Sequence, residues 1–170
     1  MSKRSINLLR KSMSPSMKMV GGNTVVLSGG GATTLTADNS GATCVFDTAA
    51  ASTFTLPTPA LGMHFTFVST ITATGDHEII CNTDTYGYLG GALIMNTAAD
   101  QCNAFSAAGD GENDYITMNG TTTGGIAGSV VHVYAIVGQA EGLSTGEAKS
   151  WAVHASLIGS GNTVTPFADA

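Results

Sequence analysis

The stretch GLSTG at 142–146 fits G-x-S-x-G around Ser144. In an α/β-hydrolase that serine sits on a sharp turn between a strand and a helix, raised for attack on an acyl carbon. Here the following residues, EAKSWAVHASL, alternate as a strand, so Ser144 reads as part of a polar loop. A second group is GDGENDY at 109–115, which sets Asp110, Glu112 and Asp114 at alternate positions. Clustered carboxylate oxygens suit calcium. An EF-hand loop needs Gly at its sixth position and Glu at its twelfth, where this chain has Tyr115 and Thr121. The trio is therefore an irregular calcium candidate, and a hydrated acidic turn explains it without an ion.

The four histidines are His64, His77, His132 and His154. Neutral imidazole ligates transition metals. Asp76, His77 and Glu78 are consecutive, and consecutive residues of a strand point to opposite faces, which makes them poor joint ligands. His132 and His154 face each other only if their strands pair, and the register is not legible from sequence. No metal is expected. Cys44, Cys81 and Cys102 are odd in number and form no CxxC. Each lies in or near an apolar run, so all three read as buried free thiols, which fits synthesis in a reducing cytosol. The Gly-rich stretches 28–34 and 121–128 lack Lys and lack G-x-G-x-x-G spacing, so they argue against a phosphate cradle. NGT at 119–121 matches a glycosylation sequon, but no secretion signal gives it meaning. No acid, base and nucleophile come together, and the chain reads as a non-enzyme without a cofactor.

The elements that would position these groups are strands. The charged fraction is 11%, low against the usual ~25%, with Gly, Ala and Thr in its place. Apolar and Thr-rich runs fall at 24–27, 33–37, 43–47, 53–56, 63–70, 77–81, 86–95, 114–118, 129–138 and 150–158. This spacing suits a sandwich or barrel. No helical pattern separates the runs, so parallel βαβ units are not expected. NG at 119–120 signals a tight turn. The expected body is one all-β domain over 23–170, an antiparallel β-sandwich or barrel of jelly-roll type. No apolar run reaches the ~18 residues of a transmembrane helix.

The remaining 22 residues form a basic arm. Five of the six Lys and Arg residues lie in it: Lys3, Arg4, Arg10, Lys11 and Lys18. The rest of the chain sets all twelve carboxylates against Lys149. Ile6, Leu9 and Met13 are spaced three and four apart, one face of a short helix that Pro15 ends. So short a helix is unstable alone in water and calls for a partner surface, acidic or apolar. A nucleic-acid role is disfavoured, because the acidic body repels phosphate and the arm has no aromatic residue to stack on a base. A disordered solubilising or targeting tail is the other reading.

Three blocks carry a family resemblance: GATCVFDTAAASTFTLPTPALGMHFTFV at 41–68, DYITMNGTTTGGIAGSVVHVYAIVG at 114–138, and WAVHASLIGSGNTVTPFADA at 151–170. Together they resemble small all-β virion proteins of tailed bacteriophages, chiefly capsid decoration (cement) proteins. The resemblance covers about half the chain and brings no catalytic residues. It implies a structural protein on the capsid exterior, bound to the major capsid protein shell and to neighbouring copies of itself as a homotrimer. It implies no membrane partner and no catalysis. A tail-fibre, knob or adhesin-type receptor-binding module is the alternative. The arm lies outside the three blocks, and its anchoring role is read from Lys3, Arg4, Ile6, Leu9, Arg10, Lys11, Met13 and Lys18 alone.

Overall fold

A computed structural model describes residues 26–107, 113–138 and 148–169. The arm, with its short helix and basic residues, lies outside the described residues, as do Asp110, Glu112 and Ser144.

The described chain is all-β, as its Thr- and Val-rich runs require. In chain order the strands are β1 (Val26–Ser28), β2 (Ala32–Thr34), β3 (Thr43–Phe46), β4 (Ser52–Thr55), β5 (His64–Ser69) and β6 (His77–Ile80). Then follow β7 (Tyr88–Asn96), β8 (Gln101–Ser106), β9 (Tyr115–Met118), β10 (Val130–Gly138), β11 (Ala148–Gly159) and β12 (Phe167–Ala168). A seven-stranded sheet runs β1-β3-β5-β10-β11-β7-β8, and a five-stranded sheet runs β12-β9-β6-β4-β2.

Both sheets are mixed and open, which corrects the antiparallel, jelly-roll-like or barrel expectation. From β1 to β6 the chain changes sheet at every strand. Within each sheet the strands it leaves behind are parallel neighbours: β1 with β3, β3 with β5, β2 with β4, β4 with β6. Parallel neighbours need a crossover of a dozen or more residues, usually helical. Here the crossover is a strand of the opposite sheet with its flanking loops, so no helix is needed. The first half is thus a flattened coil. The second half extends it antiparallel, β10 onto β5 and β9 onto β6. β11 joins β10 antiparallel and β7 parallel.

Alternation along the strands fills the space between the sheets. Cys44, Phe46, Phe65, Phe67, Val131, Val133, Trp151, Ala155 and Leu157 point inward from the large sheet. Phe54, Ile79, Ile116, Met118 and Phe167 meet them from the small one. Phe46 packs edge-on against Phe54 at 5.1 Å, and Phe54 meets Phe67 at 5.4 Å. Two sites show how tightly neighbouring segments approach. Gly90, in β7, has φ +122, and a Cβ there would collide with the Val153 carbonyl oxygen. Gly120 has φ +76 and sits on the Ala73 carbonyl, so NG does turn the chain, but towards the other sheet. β9 and β10 therefore form no hairpin. Instead Ser129 Oγ accepts from Gly125 N and Ile158 N and donates to the Ile126 carbonyl, pinning the glycine loop to β11.

Candidate functional site

The two outer faces are chemically unlike. On the small sheet the outward residues include Thr34, Thr53, Thr55, Glu78, Ile80, Tyr115 and Thr117. Glu78 accepts from the Thr53 hydroxyl at 3.0 Å. Partial burial, and then the charges of Asp114, Glu78 and Asp84, push the Tyr115 phenol up from its ordinary value. This is a hydroxyl-rich, acidic surface.

Within its paired strands the large sheet's outer face carries no described Asp, Glu, Lys or Arg; Asp47, one residue past β3, accepts from Ser28 Oγ at the β1 edge. Register sets these residues in rows. One row reads Thr43, Thr66, His132, His154, Gly91, Ser106. The next reads Val45, Val68, Val130, Ser156, Leu93, Ala104, and beyond it come Ile158, Met95 and Cys102. On the other side His64 lies opposite Tyr134, their rings stacked at 6.3 Å. Tyr134 is 50%, Met95 44% and Leu93 43% exposed. Side chains of that size and polarity normally leave water on a sheet with one buried face, and here they do not.

His132 and His154 do face each other across β10 and β11, the arrangement that the sequence left open. His132 Nδ1 shares a 3.1 Å hydrogen bond with Thr66 Oγ1. Two imidazoles side by side could hold a soft divalent ion only weakly, and no third His, Cys, Asp or Glu joins them among the described residues. Beside His154 the missing side chain of Gly91 leaves a shallow hollow of about 310 Å³, edged by Leu93, Ala104 and Phe105. It is a seat for an apolar side chain rather than a reaction vessel.

The other candidates are scattered. His77 is buried in the core, stacked on Phe46 at 4.5 Å, with Nε2 donating to the Thr48 carbonyl. Its neighbour Glu78 points to the opposite face, as strand geometry dictates. Asp114 is buried, near Tyr88 and Cys81, whose protons its charge helps retain. Asn119 caps its own loop, accepting from Thr121 N and Thr123 N. Cys44 and Cys81 are buried free thiols, but Cys102 is exposed. That corrects the reading of three buried thiols: β8 is an edge strand, and its even residues face solvent. Sequence reasoning missed β8 altogether, because QCNAFS has neither β-branched residues nor clean alternation.

No described helix is long and apolar enough to cross a membrane. No protein-family model matches the chain, and no curated protein or solved structure matches it either.

Proposed function

We propose that this chain is a non-catalytic structural protein that docks on another protein through the outer face of its seven-stranded sheet, as a decoration protein on the exterior of a phage capsid. The observation that carries the docking part is the exposure of Leu93 and Met95, in adjacent rows of a face whose paired strands carry no formal charge, with Tyr134 exposed farther along it. Contiguous exposed apolar surface marks an interaction site, and interface centres are depleted in charge and rich in Tyr and Met. The hollow beside Gly91 adds a pocket for one partner side chain, the usual form of an interface anchor. The capsid part rests on the resemblance of 41–68, 114–138 and 151–170. Those blocks fold as β3–β5, β9–β10 and β11–β12, so they hold the aromatic core and four strands of the docking face. Trimeric assembly and the shell partner come from the same resemblance, and shell anchoring by the arm from its charge and apolar spacing.

The test is co-sedimentation with undecorated, expanded phage capsids. The full chain should pellet with them. Leu93→Asp with Met95→Asp should lower the bound fraction at least tenfold, while circular dichroism stays unchanged. Removal of residues 2–18 should weaken binding and flatten its salt dependence. Binding untouched by the double substitution would exclude the face. Undiminished, salt-independent binding without the arm would exclude anchoring. A few copies at the tail of purified virions, in place of many over the shell, would favour the fibre or knob reading.

A further inference from the structure

The four sheet edges are guarded unequally. β1 and β2 have three residues each and β12 has two, which leaves little to pair with. β8 has six. Proteins usually protect such an edge with Lys, Pro or a bulge. QCNAFS holds no charge and no proline, and its register against β7 is unbroken from Gly91↔Ser106 to Asn96↔Gln101.

The direction of its backbone groups follows from one bond. Ala107 N–H donates to the Gly90 carbonyl at 3.0 Å, so the odd residues of this strand exchange bonds with β7. In an antiparallel ladder the even ones then turn the other way. The N–H and C=O of Cys102, Ala104 and Ser106 point off the edge, and no described backbone group pairs with them. All three residues are exposed. The strand is nonetheless well held. Phe105 packs against the core, and Asn103 Nδ2 donates to Thr163 Oγ1. A formed, pinned strand offers its ladder without further ordering cost.

We infer that β8 pairs antiparallel with β8 of a second copy, across a two-fold axis at Ala104. In that register Ala104 lies opposite its own mate and Cys102 opposite Ser106 of the partner subunit, so every outward group on the edge finds a partner. A second copy, which brings the same uncharged edge, fits this register. A charge at 104 would face its own mate across the axis, and like charges directly opposite destabilise a sheet. This edge has none. The side chains at 102, 104 and 106 are small, which permits close approach on the solvent face. Elsewhere twelve carboxylates against Lys149 make one copy repel another. The contact is isologous and separate from any three-fold grouping. It joins the Leu93 and Met95 surfaces of two copies, yet it stands whether or not those surfaces dock on a capsid.

The experiment is oxidative cross-linking of Ala104→Cys in a Cys102→Ser background. Directly opposed, hydrogen-bonded Cα atoms are about 5.5 Å apart, inside the roughly 4.4–6.8 Å that a disulfide spans. This variant should give a covalent pair within minutes on a non-reducing gel. The wild-type chain should not, because its two Cys102 residues lie four positions out of register, about 13 Å apart. In sedimentation, wild type should associate in twos and Ala104→Pro should not, since the proline removes an outward N–H and leaves the β7 bonds intact. Ala104→Lys, which keeps every backbone bond, should also abolish association. Equal cross-linking of the cysteine variant and its Cys102→Ser parent would overturn the inference, as would unchanged association of both the Pro and Lys variants. Association that appears only after residues 2–18 are removed would overturn it too, by showing that the chain's own arm occupies the edge.

Discussion

The coil of β1–β6 and the extension of β7–β12 reach the same core by opposite routes. In the coil, strands of three to six residues are laid parallel by repeated crossing between sheets. In the extension, β7, β10 and β11 have nine, nine and twelve residues and stay in one sheet. The coil supplies the aromatic cluster of Phe46, Phe54 and Phe67. The extension supplies most of the docking face and its unguarded edge. Short strands that hand over to the other layer have little outer surface to offer. Long ones present a broad face, and that is where exposed Leu93, Met95 and Tyr134 collect. The difference teaches that this chain separates the part that holds its core from the part that meets its surroundings.

The sharpest way to break that comparison is Phe54→Ala. Phe54 is fully buried between Phe46 and Phe67 and belongs to the one core cluster that also contains Trp151 and Val133. Truncating a core Phe costs about 3–5 kcal/mol, including the cavity, a large share of a typical 5–15 kcal/mol. Denaturant titration should show that loss. Hydrogen exchange should show protection falling together in 43–69 and in 130–158. If 130–158 keeps its protection while the coil melts, the halves are separate units and the comparison hardens into a domain boundary.

How much was readable follows the same division. Alternation exposed the long strands within a residue or two, and it exposed the inward face of 63–68, because Phe65 and Phe67 stand between polar neighbours. Parallel pairing in the coil was not readable. Nothing in TCVF or STFT says that the next strand belongs to the other sheet, and the usual signature of a parallel crossover, a helix, is missing. The opposed His132 and His154 were legible as types but not as a pair, since pairing depends on a register that no side chain announces. β8 escaped notice because Asn103 and Gln101 interrupt the apolar pattern, although Phe105, the one large apolar residue among small neighbours, was the signal that one side is buried. The charge-free face was visible only once rows of residues from six strands could be laid side by side.

A smaller effect probes a seam within the extension. Ser129 Oγ serves Gly125 N, Ile158 N and the Ile126 carbonyl from a buried position, so it binds the loop after β9 to β11. Ser129→Ala leaves two backbone N–H groups without their acceptor, and one such buried group costs about 1–3 kcal/mol. A loss in that range by thermal melting, with exchange rising first at 123–128, supports the seam. A loss below about 0.5 kcal/mol would show that the loop is held by its backbone bonds alone.

The thiols give the mildest contrast and leave the neutral-pH fold untouched. Burial pushes the thiols of Cys44 and Cys81 up to about 12 from the ordinary 9.0, whereas Cys102 on the edge is exposed. The thiolate is the reactive form, so at pH 8 a thiol-specific dye should label Cys102 at once and the other two only after unfolding. The same burial sets a pH dependence. A group that holds its proton more tightly when folded contributes stability that is complete below its unfolded pKa and lost as pH rises through its folded one. Stability should therefore decline from about pH 9 towards pH 12, on top of any tyrosine ionisation. Cys44→Ala should make that alkaline decline shallower while lowering stability at neutral pH through lost packing. Cys102→Ser should change neither the slope nor the neutral stability. Equal labelling of all three thiols in the native state would mean that the coil opens readily, and would remove the contrast between its closed interior and the exposed edge of the extension.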